Sequence, residues 1–301
     1  MSEKTGFEWP TLLLLIATYA VWAAGTLLWP VSGLLSVVVT GVAVAQFCSL
    51  QHEVLHGHPF RNPNLNHALV FPALALVIPY ERFRDTHLQH HYDPALTDPY
   101  DDPESNYQDP QVWARMPRGT QALLRLNNTL LGRILLGPAI GTRFFIKAEI
   151  DLHQKGNPAI LHAWMMNGLG ILLVLGWLWG VSDMPLLAYA MAAYLGYSLL
   201  KIRTYLEHRA HEAPRARTVI IEDRGPLALL FLNNNLHVVH HMHPTVPWYD
   251  LPALYAERRA HYQRRNEAYV YRSYAEVFRR YLFKAKDPVP HPVWPVRKAD
   301  D

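Results

Sequence analysis

Two runs of 20 residues without one charged side chain, "PTLLLLIATYAVWAAGTLLW" (10–29) and "VSGLLSVVVTGVAVAQFCSL" (31–50), restrict what this chain can fold into. At about 1.5 Å of rise per residue, each is long enough as a helix to cross a hydrocarbon core of about 30 Å. Only Pro30 separates them, so they predict a transmembrane hairpin. The first run has no strong basic flank and the second follows at once, which argues against a cleaved leader. Residues 158–181 and 185–206 predict a second hairpin that turns at Ser182 to Met184, with Lys201 and Arg203 in its last turn at the interface.

Basic residues orient the hairpins. No Lys or Arg lies between Thr5 and Phe60, or between Gly156 and Leu200. The cations therefore collect at Lys4, in the loop from Arg61 to Lys155, and from Lys201 onward, and these regions share the cytoplasmic side. A multi-pass integral membrane protein follows, one catalytic domain over 1–301, with 51–157 and 207–301 in the cytosol and both termini facing it. The net charge of +3 belongs to this asymmetry, and no basic stripe suggests nucleic acid. Cys48 is the only cysteine, which excludes an internal disulfide, a Cys-ligated iron–sulfur cluster and a fused rubredoxin-like domain.

Three further stretches carry expectations. Residues 66–80, "NHALVFPALALVIPY", are apolar but too short to cross, which predicts a re-entrant or interfacial segment. Residues 121–150 mix Leu, Ile and Phe with Arg125, Arg133, Arg143 and Lys147, as an amphipathic helix pair on the bilayer surface would, broken at Gly137-Pro138. The run "LTDPYDDPESNY" (96–107) reads as a turn-rich loop.

The chain has 17 histidines, and eight of them fall into sets with helical spacing. His52 and His56 are i,i+4. His87, His90 and His91 are i,i+3,i+4, and His237, His240 and His241 repeat that pattern. On a helix each set projects from one face, as ligation of a metal from one element requires. The sets follow the spans closely enough to converge on one membrane face. His67, His153, His162, His261 and His291 stand alone and read as ordinary hydrogen-bonded imidazoles.

"HEVLH" (52–56) also matches the HExxH pattern of zinc metalloproteases, in which Glu53 would activate water. A catalytic zinc takes three protein ligands and keeps an open position, far fewer than the imidazoles gathered here. So many neutral nitrogen donors suit two transition-metal ions, and imidazole suits iron. Glu53 then becomes a carboxylate that orients a ligand ring. Asp85, Asp93, Asp98, Asp101 and Asp102 could do the same or could simply serve turns. A metal-binding transporter would need ligands within the spans, where His162 is the only histidine.

HxxxH, HxxHH and HxxHH, here "HEVLH", "HLQHH" and "HVVHH", set around two hairpins, resemble the histidine boxes of the membrane-bound fatty acid desaturase and hydroxylase superfamily. The resemblance covers about 10–255, and "NNNLHVVHHMHPTVPWYDLP" (233–252) is similar to the third box of a bacterial branch of desaturases and hydrocarbon oxygenases. It implies an all-α integral membrane fold of four transmembrane helices in two hairpins with a cytosolic helical di-iron cap. It also implies two non-haem irons, and O2 with two electrons to desaturate or hydroxylate an aliphatic lipid chain. A fatty acyl chain is the expected substrate, with alkane or carotenoid oxygenation the alternative. "YLEHRAH" (205–211) resembles the Tyr-x-Glu-His element of membrane alkane hydroxylases, which implies His208 as a ninth ligand and Glu207 as its supporting carboxylate.

One departure is visible: acyl-CoA desaturases carry Asn four residues before that His, and this chain has Thr204. Continuing the fourth helix by a turn would place His208 on its end, with His211 less firmly held ahead of Pro214. His211 and His243 stay open as substitutes for a ligand. Since no fused electron-transfer domain is visible, a separate donor of ferredoxin, rubredoxin or cytochrome type is expected.

Overall fold

The computed structural model describes residues 7–92 and 95–294 and is predominantly helical. Helices α1 (Trp9–Leu27) and α2 (Gly33–Leu55) form the first hairpin. α1 ends just ahead of Pro30, and Ser32 opens α2 by accepting the Leu35 amide. Helices α8 (Pro158–Gly180) and α9 (Leu186–Thr204) form the second hairpin. Between the hairpins come α3 (Pro63–Leu69), α4 (Tyr80–His90), α5 (Pro110–Arg115), α6 (Arg118–Asn127) and α7 (Leu130–Gln154). After α9 follow β1 (Ile220–Ile221), α10 (Pro226–Leu230), α11 (His237–Met242), α12 (Leu251–Glu257), α13 (Arg259–Arg265), β2 (Val270–Tyr271) and α14 (Tyr274–Tyr281).

Among the described residues three helices, α1, α2 and α8, are long and apolar enough to cross a membrane. α9 has the length of α1, but its Lys201 and Arg203 make it less apolar. It nevertheless packs lengthwise on α2. Gly41 and Gly196 make that approach possible: a Cβ on Gly41 would lie 3.0 Å from the Ala192 carbonyl, and one on Gly196 2.7 Å from the Val44 side chain. Small residues at such crossings let backbones approach closely where water offers no hydrophobic drive. The two turns lie side by side, because the Ser182 hydroxyl donates to the Thr26 carbonyl (3.1 Å) and the Trp177 indole to the Thr26 hydroxyl (2.9 Å). The opposite ends of α2 and α9 lead to the histidine site, with His52 and His56 at the end of α2 and His208 just after α9.

Residues 70–79 enter this bundle as coil, with Leu74 fully buried. Their carbonyls take side-chain donors from the surrounding helices: Tyr189 on Leu74 (2.8 Å) and Asn167 on Leu76 (3.0 Å), with Tyr19 on Leu69 just before them (2.8 Å). Irregular backbone is tolerated in an apolar interior only when buried and satisfied in this way.

Two expectations are corrected. The helix expected to break at Gly137-Pro138 runs through both as α7. The break falls earlier, at Asn128-Thr129, where Thr129 caps α7 by accepting the Gly132 amide. The Tyr194 hydroxyl donates to the Leu135 carbonyl in the turn ahead of Pro138, the region where a proline disturbs the backbone bonds. The fold is also not wholly α, since β1 and β2 pair in parallel, Ile220 with Val270 and Ile221 with Tyr271.

Candidate metal centre

Three helices and one loop deliver the histidines. No breaker interrupts "QHEVL", so α2 continues past its apolar stretch and carries His52 in its last turn, with His56 at its C-cap. Gly57, at φ +97°, then turns the chain away. α4 presents His87 and His90, with His91 at its C-cap, and α11 carries His237, His240 and His241.

His208 is placed differently from expectation. α9 stops at Thr204, and His208 lies in an antiparallel bridge with Thr218. The Val219 amide donates to the Glu207 carbonyl (3.1 Å) and the Lys286 ammonium to the His208 carbonyl (2.7 Å). These cross-chain bonds replace the helical ones that a further turn of α9 would have made.

All nine histidines converge, in two groups. His52, His56, His87, His91 and His240 form one, and His90, His208, His237 and His241 the other. Within each group, ring nitrogens lie within 4.8 Å of one another, close enough for a shared metal ion.

The hydrogen bonds on the far side of the rings test whether a metal fits. His87 Nδ1 meets Glu104 Oε1 (2.8 Å), His90 Nδ1 meets Asp102 Oδ1 (2.7 Å), and His237 Nδ1 meets Asn234 Oδ1 (3.0 Å). Asn234 donates its amide to Glu207, which fixes its oxygen toward His237. All three partners are acceptors, so Nδ1 carries a proton and Nε2 is the atom left to face the centre, with a lone pair wherever the ring is neutral. Those Nε2 atoms face other imidazole nitrogens: His90 and His237 lie 2.8 and 3.0 Å from His208 Nε2, and His87 lies 2.9 Å from His91 Nε2. A neutral His208 can donate through Nε2 to only one of its two neighbours. Among the described residues, His52 Nε2 and His56 Nε2 are buried with no hydrogen-bond partner. Facing lone pairs and orphaned buried nitrogens suit a cation between them, so the donor set fits bound metal.

The electrostatics keep most rings neutral, as ligation requires. Burial, reinforced by His87 and other rings, lowers the His56 pKa to about 2. Burial and neighbouring imidazoles likewise depress His91, His208, His237 and His240. His90 departs from this pattern. Burial opposes its charge, but Glu104 and Asp102 prevail and lift it to about 9. The same carboxylates would make its Nε2 a stronger donor to a metal once the proton has left. Burial raises Glu207 against the pull of Arg203, which lies 2.9 Å away.

The supporting residues match expectation unevenly. Glu207 does sit behind the second group, 3.9 Å from His237 Nδ1. Glu53 accepts the Trp248 amide (2.9 Å) and lies beside His58, itself paired with Glu8, so it ties the end of α2 to the segment that follows α11. Asp85 pairs with Arg82 and Arg84, and among the described residues it meets no histidine. Two positions before His87, it points to the opposite face of α4. Asp98 accepts the turn amides of Tyr100 and Asp101, the Asp101 carbonyl accepts Gln89, and Asp93 lies outside the described residues.

His211 pairs with Glu267 (3.4 Å), and neither it nor His243 joins a group. Glu104, Asn234 and Lys286 carry no signal in the sequence, and of the five aspartates that could orient a ring or serve a turn, Asp102 is the one that, among the described residues, meets an imidazole of the two groups, His90. Asp102, Glu104, Tyr107, Thr204, Glu207 and Lys286 help to line a cavity of about 30 Å³ beside His208, room for a single water.

Apolar helices joined at one end to a buried polyhistidine centre describe a membrane protein built around metal chemistry. Residues 27–273 match the family described as fatty acid desaturase, and the chain belongs to that family, an oxidoreductase group of the desaturase and hydroxylase type. No curated protein matches the chain.

Proposed function

We propose that the chain is a membrane di-iron oxidoreductase, with its centre facing the cytoplasm, that uses O2 and two electrons to desaturate a fatty acyl chain. The observation that carries this reading is the set of imidazole lone pairs, fixed by Glu104, Asp102 and Asn234, that face one another inside two histidine groups. His52, His56, His87, His91 and His240 would hold one ion, and His90, His208, His237 and His241 the other. Two irons would supply the redox chemistry that activates O2 against an unactivated C–H bond, which zinc lacks. The residues behind the rings hold a proton on each Nδ1 and so turn each Nε2 toward the ion. The engagement of Glu53 with the Trp248 amide counts against a zinc protease, since that carboxylate would have to serve a water.

α9 serves as a fourth span in this reading, supported by its close packing along α2. The substrate reaches the centre from the bilayer, and electrons arrive from a separate ferredoxin, rubredoxin or cytochrome. Hydroxylation of an alkane or carotenoid is the second reading. It is favoured by Tyr205-x-Glu207-His208 and by Thr204, which lines the small cavity where acyl-CoA desaturases carry Asn.

The test joins elemental analysis to lipid and hydrocarbon profiling of cells that express the chain or its His240→Ala variant. Two irons per chain and a new unsaturated acyl product, absent with the variant, are expected. About one zinc and no iron in active protein would overturn the di-iron reading, and a hydroxylated hydrocarbon would select the second reading.

A further inference from the structure

From Pro110 to Ala148 the chain carries six basic residues and no acidic one. Arg133 is buried against the Asn127 carbonyl and Asn106, and the other five, Arg115, Arg118, Arg125, Arg143 and Lys147, are exposed. Among the described residues only Lys147 has an acidic partner, Asp151.

These cations border exposed apolar stripes on two successive helices. On α6, Leu124 and Asn127 face inward while Leu123 and Leu126 (54% exposed) face outward, and Arg118 and Arg125 lie one above the other at the edge of that stripe. On α7, Leu135 (56% exposed), Ile146 and Ile150 share a second outward stripe, and Arg143 and Lys147 follow its edge. Val112 is exposed on α5, just ahead of Arg115. The same arrangement thus recurs on separate elements: leucine and isoleucine side chains with no protein cover, flanked on one border by cations.

α7 also lies against the membrane helices. Its Gly137 approaches Lys201 of α9, and its Glu149 accepts the Trp164 indole of α8. A helix so placed meets a bilayer at headgroup depth, with apolar side chains in the acyl boundary and cations rising to the phosphates.

We infer that the outer face of α5, α6 and α7 is a binding surface for anionic phospholipid headgroups, distinct from the histidine centre. Charge complementarity selects the occupant. A zwitterionic leaflet would satisfy the leucines, but it gives five cations with one acidic partner no net counter-charge. An anionic leaflet satisfies both, at about fivefold in partition for each cation near the surface.

The test reconstitutes the full chain in a mixture of phosphatidylcholine and phosphatidylglycerol, withdraws it in mild detergent, and counts the retained lipids per chain by mass spectrometry. Wild type should enrich phosphatidylglycerol several-fold over its bulk share, and the enrichment should fall in high salt. The R115Q/R118Q/R143Q variant removes three cations that make no side-chain bond among the described residues, so its helical circular dichroism should be unchanged. Its enrichment should fall toward the bulk ratio, whereas R115K/R118K/R143K should keep it. Equal enrichment in the glutamine variant and wild type would overturn the inference, and so would wild type retaining lipid in the bulk ratio.

Discussion

Replacing Asp102 by Asn tests the support of the centre with the least change of shape. The carboxylate is buried and holds three hydrogens: Oδ1 takes His90 Nδ1 (2.7 Å) and the Glu104 amide (2.9 Å), and Oδ2 takes the Thr97 amide (2.8 Å). An amide has one oxygen. If that oxygen stays with His90, the new NH2 faces the Thr97 N–H and two donors collide. If it turns to Thr97, the NH2 faces His90, whose ring must then move its proton to Nε2, the atom directed at His208. Either outcome forfeits a charge-assisted hydrogen bond of about 1.5–3 kcal/mol and leaves a buried amide unsatisfied at about 1–3 kcal/mol, that of Thr97 in the first and that of Glu104 in the second.

Loss of such a partner behind a ligand imidazole lowers metal affinity by about 10–100-fold. Iron titrated into metal-free D102N should therefore show one tight site and one weakened site, where wild type shows two tight sites. Asp85→Asn, on the arginine side of α4, should keep both sites tight. If D102N binds both irons as wild type does, the argument from fixed tautomers fails.

Other outcomes follow from the same geometry. Acid should destabilise the chain steeply below about pH 6.5: His56, His91, His208, His237 and His240 stay neutral when folded but gain protons when unfolded, each at about 1.4 kcal/mol per pH unit. His90, raised to about 9, is charged in both states below about pH 6.5 and so does not oppose this trend; its own contribution is lost only as pH rises through 9. Melting of metal-free protein measured from about pH 5 to 6.5 should thus show stability rising with pH, and a flat profile there would refute the assignment. His208→Ala should lose iron and product, and His211→Ala, held by Glu267 outside both groups, should keep most of its iron. Full iron and near-normal turnover in His208→Ala would refute the role of His208. Arg82→Met should lower the melting temperature markedly, because it leaves Glu149 buried without the guanidinium that holds both its oxygens, a loss of about 3–5 kcal/mol. An unchanged melting temperature would show that the pair contributes nothing.

What could be read from the sequence was whatever depends on local period. Charge-free runs gave α1, α2 and α8 to within a few residues, and spacing of three and four gave eight of the nine histidines that converge. The ninth, His208, has no such spacing and came from the resemblance alone. Its actual placement depends on Thr218 and Lys286, which are distant in the chain. The same limit hid Glu104 and left Asp102 undistinguished from four neighbouring aspartates. Asp102 and Glu104 lie 12 and 17 residues beyond the rings they hold, in a loop whose Asp and Pro content announces turns but not which oxygen turns inward. Pro138 misled for a related reason: α7 runs through it packed along α9, and no local pattern reveals those contacts.

The relative position of the first two histidine boxes is therefore decided inside the bundle rather than at the centre itself. α2 brings His52 and His56 directly along its own axis, but α4 is reached only through the coil at 70–79. That coil is pinned by donors on several helices: Tyr19 of α1 at its entrance, then Tyr189 of α9 and Asn167 of α8, with Trp22 of α1 donating in turn to the Tyr189 hydroxyl. Gly170 of α8 permits the approach, since a Cβ there would lie 2.5 Å from the Phe71 carbonyl. Each of these polar groups would be expensive in an apolar interior without its partner. Together they hold the start of α4, and hence His87 and His90, in register with α2. An asparagine, a tyrosine and a glycine deep in apolar helices thus belong to the geometry of the histidine centre although none of them touches it.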